Sequence, residues 1–535
     1  MLATSGAQAD AGRSSLADYA RARVADASGE LNIAARGYAS ALSEAPFDET
    51  LAARAYRRAI AAGDRGLALR AATTLQQGEA LPPDGRFLFL IEAIDEGDWA
   101  EARRIVDGIE EESLFASLAP VLRAWIAYGA RDGDPVAILD AVQEGEQQAA
   151  YAAEHRALLL LVSRREDEAV AALQELTGVG AARMLRLRLA FASYFADNRQ
   201  RDRALTLIQG EGRALETARD RIERRRDFPG AIDSTADGIA EIFIRLAAEV
   251  SRRNATVLAT TFARFSTFLA PDNSVGWLVT SAVLHADDQD TAAFAALDQI
   301  DRRDPFFADA QDARVRLLAD DGDAQAALAI AQDRIEDGSA TAADWQRLGE
   351  MHTELGRFAD AANAYGRAVE LAGGEDAPWS AWLLYGGALH DADRWDDAKV
   401  ALNRSVELGP DQPLALNFLG YALLERREEL ERAEALIARA SELRPDSASI
   451  TDSLGWAHYV RGNLDQAIPT LERAAVGDPD EPTINEHLGD AYWTAGRRRE
   501  ARFAWQAALV TAEDDAVSRL RSKLDTGLTP ETVSP

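Results

Sequence analysis

The chain has 535 residues, more than one hydrophobic core organises, so several compact bodies or a repeated architecture are expected. Lys and Arg number 58 against 89 Asp and Glu, a net charge of −31, which argues against nucleic acid and anionic membrane as partners. The absence of cysteine removes disulfides, thiolate nucleophiles and Cys-ligated zinc. Only Lys399 and Lys523 are lysine, so nearly all positive charge is arginine.

In chain order, residues 1–14 read as a flexible tail with neither a basic n-region nor an apolar h-region. Within it, "SGAQA" has the small-residue pattern of a signal-peptide cleavage site. Two locations therefore stand: periplasm or cell envelope if a longer precursor precedes this start, cytoplasm otherwise. No apolar run approaches the ~18–20 residues of a membrane span.

Residues 15–220 carry about six degenerate helical repeats, with Ala34, Ala68 and Ala102 spaced by 34. "RDRIERRRDFPGAIDSTADG" then breaks the period, because Ala204 to Ala259 is 55 residues. We read 221–238 as a loop or hinge. Its Arg224, Arg225 and Arg226 read as a solvated helix end, with an anion or partner site as the alternative. Residues 239–512 form the regular array. Ala259, Ala293, Ala327 and Ala361 keep a 34-residue register, and so do Ala433, Ala467 and Ala501. Gly386 and Gly420, Gly455 and Gly489, Pro271 and Pro305, and Pro445 and Pro479 keep it too. In 513–535, "DDAVSRLRSKL" reads as a capping helix before a Pro/Thr tail.

Few residues carry recognisable chemistry. No phosphate-binding loop, zinc-protease helix or nucleophile elbow occurs. "DDGDAQAAL" resembles a calcium loop only faintly, and Gly322 there fits a turn between helices. No metal, cofactor or catalytic residue is expected.

The 34-residue order does resemble the tetratricopeptide (TPR) family. One repeat reads Trp345, Leu348-Gly349, His352, Ala361, Tyr365, Ala368, and another Asn485, Leu488-Gly489, Tyr492, Ala501, Trp505, Ala508. The resemblance implies an all-α solenoid of stacked antiparallel helix pairs A and B, degenerate in the N-terminal half and regular in the C-terminal half. Gly349, Gly386, Gly420, Gly455 and Gly489 would lie on helix A. Ala361, Ala398, Ala433, Ala467 and Ala501 would lie on helix B, where backbones approach closely, and Pro479 would end a helix B. The family's groove-lining positions fall on Asn417, Tyr421, Leu424, Asp452, Trp456, Tyr459, Glu486, Asp490 and Trp493, with packing between repeats as the alternative role. This aromatic and acidic set suits a basic or amphipathic helical segment. "LNFLGYALLE", "ITDSLGWAHY" and "EHLGDAYWTAGRRREARFAW" resemble the C-terminal signature of bacterial cell-envelope TPR proteins that act as adaptors of a carboxyl-terminal processing protease. That implies a non-enzymatic scaffold whose protein partners include a protease and its substrates. The alternative is a helical superhelix accessory to a glycan-cleaving or glycosyl-transferring enzyme.

Overall fold

The computed structural model describes residues 17–111, 114–142, 149–210, 212–226, 230–336 and 340–534. The tail 1–14 and Pro229 of the hinge lie outside them. The described residues form an α-solenoid of successive helices with no strand. It divides into two compact units, Met1–Asp320 and Asp321–Pro535.

The repeat is written into the backbone of both units. A left-handed residue closes the turn between paired helices at Gly29, Gly63, Gly97, Arg131, Arg164 and Arg199 in the first unit. These six turns follow one another at 34, 34, 34, 33 and 35 residues. After an interruption the spacing resumes at Asn254 and Asp288 and continues at Gly322, just inside the second unit. In the second unit the turns fall at Gly356, Asp393, Arg427, Gly462 and Gly496. Where Arg, Asn or Asp replaces Gly, the left-handed conformation costs about 1–2 kcal/mol. These substitutions explain why the period fades from the sequence while the turn geometry remains.

In the second unit the pairs are Ala342–Glu354 with Phe358–Leu371, Trp379–Asp391 with Trp395–Leu408, Pro413–Glu425 with Leu430–Leu443, Ala448–Val460 with Leu464–Gly477, and Pro482–Thr494 with Arg498–Thr511. Asp514–Thr526 follows as the last helix. In every pair one helix A glycine meets a large residue of its own helix B. A Cβ at Gly349 would lie 2.6 Å from the Tyr365 ring, at Gly386 2.7 Å from Leu402, at Gly420 2.6 Å from Ile437, at Gly455 2.7 Å from Leu471, and at Gly489 2.4 Å from Trp505. Ala361, Ala398, Ala433, Ala467 and Ala501 are fully buried. The glycine thus trades helix propensity, about 1 kcal/mol, for room to seat the helix B side chain. Pro479 lies in the turn between pairs, where its carbonyl accepts from Asn485 Nδ2 at 2.9 Å.

Gly489→Ala is expected to cost about 1–3 kcal/mol, because the rigid Trp505 ring cannot yield as a flexible chain would. Its loss should show as a lower denaturation midpoint. An unchanged midpoint would mean the helices separate freely there.

The first unit buries Phe87, Phe243, Phe262 and Phe265, with half-buried Phe115 packed on them and the rings of Phe243 and Phe262 stacked at 5.8 Å. Helix Thr256–Leu269 returns to helix Glu49–Ala62, and buried Arg264 donates to the Ala61 carbonyl at 2.8 Å. Residues 221–238 lie inside this unit, and the division between compact units falls at Asp320/Asp321. A capping box of Ser234 and Asp237 starts helix Thr235–Ser251. The Thr235 hydroxyl donates to the Trp125 carbonyl at 3.1 Å, and Gly238 leaves space for the Trp125 indole, which a Cβ would approach to 2.1 Å. Arg224 ends the preceding helix Arg213–Glu223, exposed and paired with Asp220 at 2.7 Å.

Candidate functional site

The groove positions lie on successive A helices, so residues about 35 apart become neighbours. His487 Nδ1 meets Asp452 at 2.8 Å, the Tyr459 hydroxyl meets Thr494 at 3.0 Å, and His390 Nε2 meets Glu425 at 3.1 Å. These polar contacts tie helix Trp379–Asp391 to helix Pro413–Glu425 and helix Ala448–Val460 to helix Pro482–Thr494. Beside Asp391 and Glu425, His390 is held protonated to about 9, despite opposition from burial.

The packing of A helices buries part of the predicted set. Trp456, 2% exposed, stacks on Tyr459 at 4.6 Å and on His487 at 4.0 Å. Leu424 and Asp452 are buried between repeats. Glu486 and Asp490, 3% and 0% exposed, face the chain's own last helix. Arg519 grips Glu486 through two bonds of 2.7 and 2.8 Å. The fully buried Lys523 ammonium donates to Glu486 at 2.6 Å and to both oxygens of Asp490 at 2.8 Å. Trp505 Nε1 and the Ser534 backbone N–H complete the Asp490 shell at 2.9 Å each. Burial works to raise both carboxyls. At Glu486 Arg519 and Lys523 overcome it and the pKa falls, while at Asp490 burial prevails and the pKa rises. The sequence reading gave this lysine no role of its own, although its acidic partners stand 37 and 33 residues before it.

Asn417, Tyr421, Tyr459 and Trp493 remain half-buried on the same face. Trp493 carries the Arg498 guanidinium 3.9 Å above its ring and packs against the backbone at Gly527, where a Cβ would come within 1.9 Å. Burial, followed by the Asp452 charge, pushes the Tyr421 phenol up, so it stays a neutral hydroxyl. Two groove acceptors one repeat apart, Asn417 Oδ1 and Asp452 Oδ1, are buried without a hydrogen-bond partner. Leaving such an atom unpaired costs about 1–3 kcal/mol.

A second charged centre, in the first unit, was not legible in the sequence. Glu154, His155 and Glu241 are fully buried, and Arg186 is 3% exposed. Arg186 donates to Glu241 at 2.7 and 2.9 Å and to the Gly230 carbonyl at 2.7 Å. Arg183 bridges Glu154 and Glu241, Arg245 reaches Glu154 at 3.2 Å, and Asn273 donates to Glu241 at 2.8 Å. A cavity of about 1000 Å³ opens beside these arginines. Every carboxylate of this centre is held by arginine, which describes a structural lock rather than an acid–base pair. Among the described residues no group of His, Asp and Glu has the arrangement to hold a metal, and no helix is long and apolar enough to cross a membrane.

The Tetratricopeptide repeat model matches residues 348–413, 391–448 and 453–517. The TPR repeat-containing protein PA4667 of Pseudomonas aeruginosa is 39% identical over 87 residues, 16% of this chain and 15% of that protein's length. Among solved structures, TTC0263, a thermophilic TPR protein in Thermus thermophilus, aligns with 24% identity over 34% of this chain and 99% of its own, at a TM-score of 0.31. MamA AMB-1 aligns with 21% identity over 36% and 94%, at 0.26. Residues 348–517 thus match the tetratricopeptide repeat family, within an all-helical solenoid.

Proposed function

We propose that the second unit is a protein-interaction scaffold that takes a partner segment along the inner face of its A helices, over residues 413–494. The observation that carries this reading is the pair of buried, unpartnered acceptors, Asn417 Oδ1 and Asp452 Oδ1, at equivalent positions of consecutive repeats. They call for donors from a ligand: backbone N–H groups, or the cations of a basic helical segment. Tyr421, Tyr459 and the half-buried Trp493 supply contact area, while Trp456 fixes Tyr459 by stacking. Asp452 adds charge as well as an acceptor, whereas Glu486 and Asp490 act by anchoring the chain's own last helix, which closes that end of the face. The likeness of the three quoted stretches to envelope adaptors sets the pathway reading: a carboxyl-terminal processing protease and its substrates are the first partners to seek.

The test is affinity capture from native extract with the full chain and with Asn417→Ala, Tyr421→Ala and Tyr459→Ala, each checked for unchanged helicity. Truncating an aromatic hot spot costs about 2 kcal/mol or more, a loss of roughly thirtyfold in affinity. Partners retained equally by all three variants would remove the face from consideration.

A further inference from the structure

Within the first unit, helix 17–27, helix Glu49–Ala62 and helix Thr256–Leu269 line a cavity of about 710 Å³. Its wall carries Arg23, Arg54, Arg57 and Arg58, a concentration of positive charge in a chain of net charge −31. Two of the four are neutralised. Arg57 pairs with Asp84 at 2.8 Å, and Arg58 pairs with Asp26. The other two turn to one neutral side chain: Arg54 donates to the Tyr19 hydroxyl, and Arg23 interacts chiefly with the same residue and more weakly with Asp26. Among the described residues neither forms an ion pair with a carboxylate. Asp26 is already engaged by Arg58 and by the Tyr38 hydroxyl, which donates at 2.9 Å. Asp287 also lines the wall, and the charge nearest to it is that of Arg58, which already pairs with Asp26.

A second, independent observation points into the same space. Thr260 lines the cavity, is 4% exposed, and its Oγ1 is buried without a partner. A helical threonine commonly returns its hydroxyl to the carbonyl one turn back. Thr261 beside it does so, donating to Val257 at 2.9 Å. Ile60 and Val257 give the wall an apolar part.

We propose that this cavity binds a small organic anion. Its carboxylate or phosphate group is held by Arg23, Arg54 and the Thr260 hydroxyl, and its apolar body rests against Ile60 and Val257. The volume falls in the range of small-molecule sites, and paired guanidiniums are the common solution for holding an oxyanion. The site is independent of the partner-binding face of the second unit.

The experiment is calorimetric titration of the full chain with phenyl phosphate, benzoate and inorganic phosphate at constant ionic strength. Saturable binding of phenyl phosphate or benzoate is expected, at least tenfold tighter than inorganic phosphate, and their order tells which head group the site prefers. Arg54→Gln and Arg23→Gln should each weaken binding at least tenfold, while Arg103→Gln, whose side chain pairs with Asp132 elsewhere on the surface, should leave it unchanged. If Arg54→Gln lowers the melting temperature, Arg23→Gln carries the test alone, because the Arg23 side chain is exposed. Absence of saturable binding by both organic anions, or binding equal in wild type and Arg23→Gln, would overturn the proposal.

Discussion

Replacing Glu241 by glutamine should destabilise the first unit by about 3–5 kcal/mol, the usual consequence of removing one member of a buried ion pair. The loss arises because Arg183 and Arg186 stay in place without their shared counter-ion, Arg186 having almost no access to water. Hydrogen exchange of helix Ala181–Asp197 reads this locally and avoids assuming a single transition for a long array. Removing the charge on both sides, as Glu241→Leu with Arg186→Leu, should recover part of the loss, and an additive double variant would contradict the pairing. The same centre sets an acid limit. Burial acts to raise the Glu241 carboxyl, but Arg186 and Arg183 outweigh it and hold the pKa at about 2 against an ordinary 4.5. The folded state therefore binds fewer protons than the unfolded one, so this stabilisation is full above about 4.5 and is lost as the pH falls toward 2. His155, buried and accepting from Trp125 Nε1 at 3.0 Å, is lowered by burial from 6.5 to about 4. Its contribution has the same sign and begins to fade below 6.5. The melting temperature of the first unit should accordingly fall from pH 7 downward. A melting temperature flat from pH 7 to pH 4 would contradict the His155 assignment, and one flat from pH 4 to pH 2 the Glu241 assignment.

Lys523→Met should release the last helix. It leaves Asp490 buried without its cation and Glu486 with Arg519 alone, a cost of about 3–5 kcal/mol. In a repeat array such a loss stays near its origin, so the effect is expected in Asp514–Thr526 and its neighbouring pair rather than throughout the chain. At ~1.4 kcal/mol per factor of ten, amide exchange in that helix should quicken by roughly 10² to 4 × 10³. Exchange at the wild-type rate would show that the helix is held by apolar packing of Leu520 and Leu524 alone.

The second unit was legible because its constraints are local and repeated. Gly420, Gly455 and Gly489 each lie 16 or 17 residues before the side chain they accommodate, and any substitution there meets the same obstacle. The same period places the proposed groove positions on successive A helices, but their burial was not legible. Whether Asp452 is open depends on His487 in the next repeat, and that pairing needs the 35-residue neighbour to be considered together with the position itself. The acidic character of Glu486 and Asp490 likewise has its answer in one of only two lysines in the chain. The first unit was less legible. Arg131, Arg164 and Arg199 adopt the turn conformation without the glycine that would announce it. Its closure depends on pairs such as Arg264 with Ala61, 203 residues apart, which no local period reports. At the interruption, the polar run around Arg224 suggested a boundary. The Ser234–Asp237 cap that starts the following helix was a visible sign of continuation.

The central claim is that partners bind on the inner face of residues 413–494 through its half-buried aromatics. It is tested most directly by placing a photocrosslinking amino acid at Tyr421 or Tyr459 of the full chain, and at Val400 and Phe503, which are 69% and 63% exposed on B helices, as controls. Crosslinked partner from the two tyrosine positions, with none from Val400 or Phe503, is the predicted result. Crosslinks confined to Val400 or Phe503 would place recognition on the opposite face and contradict the account.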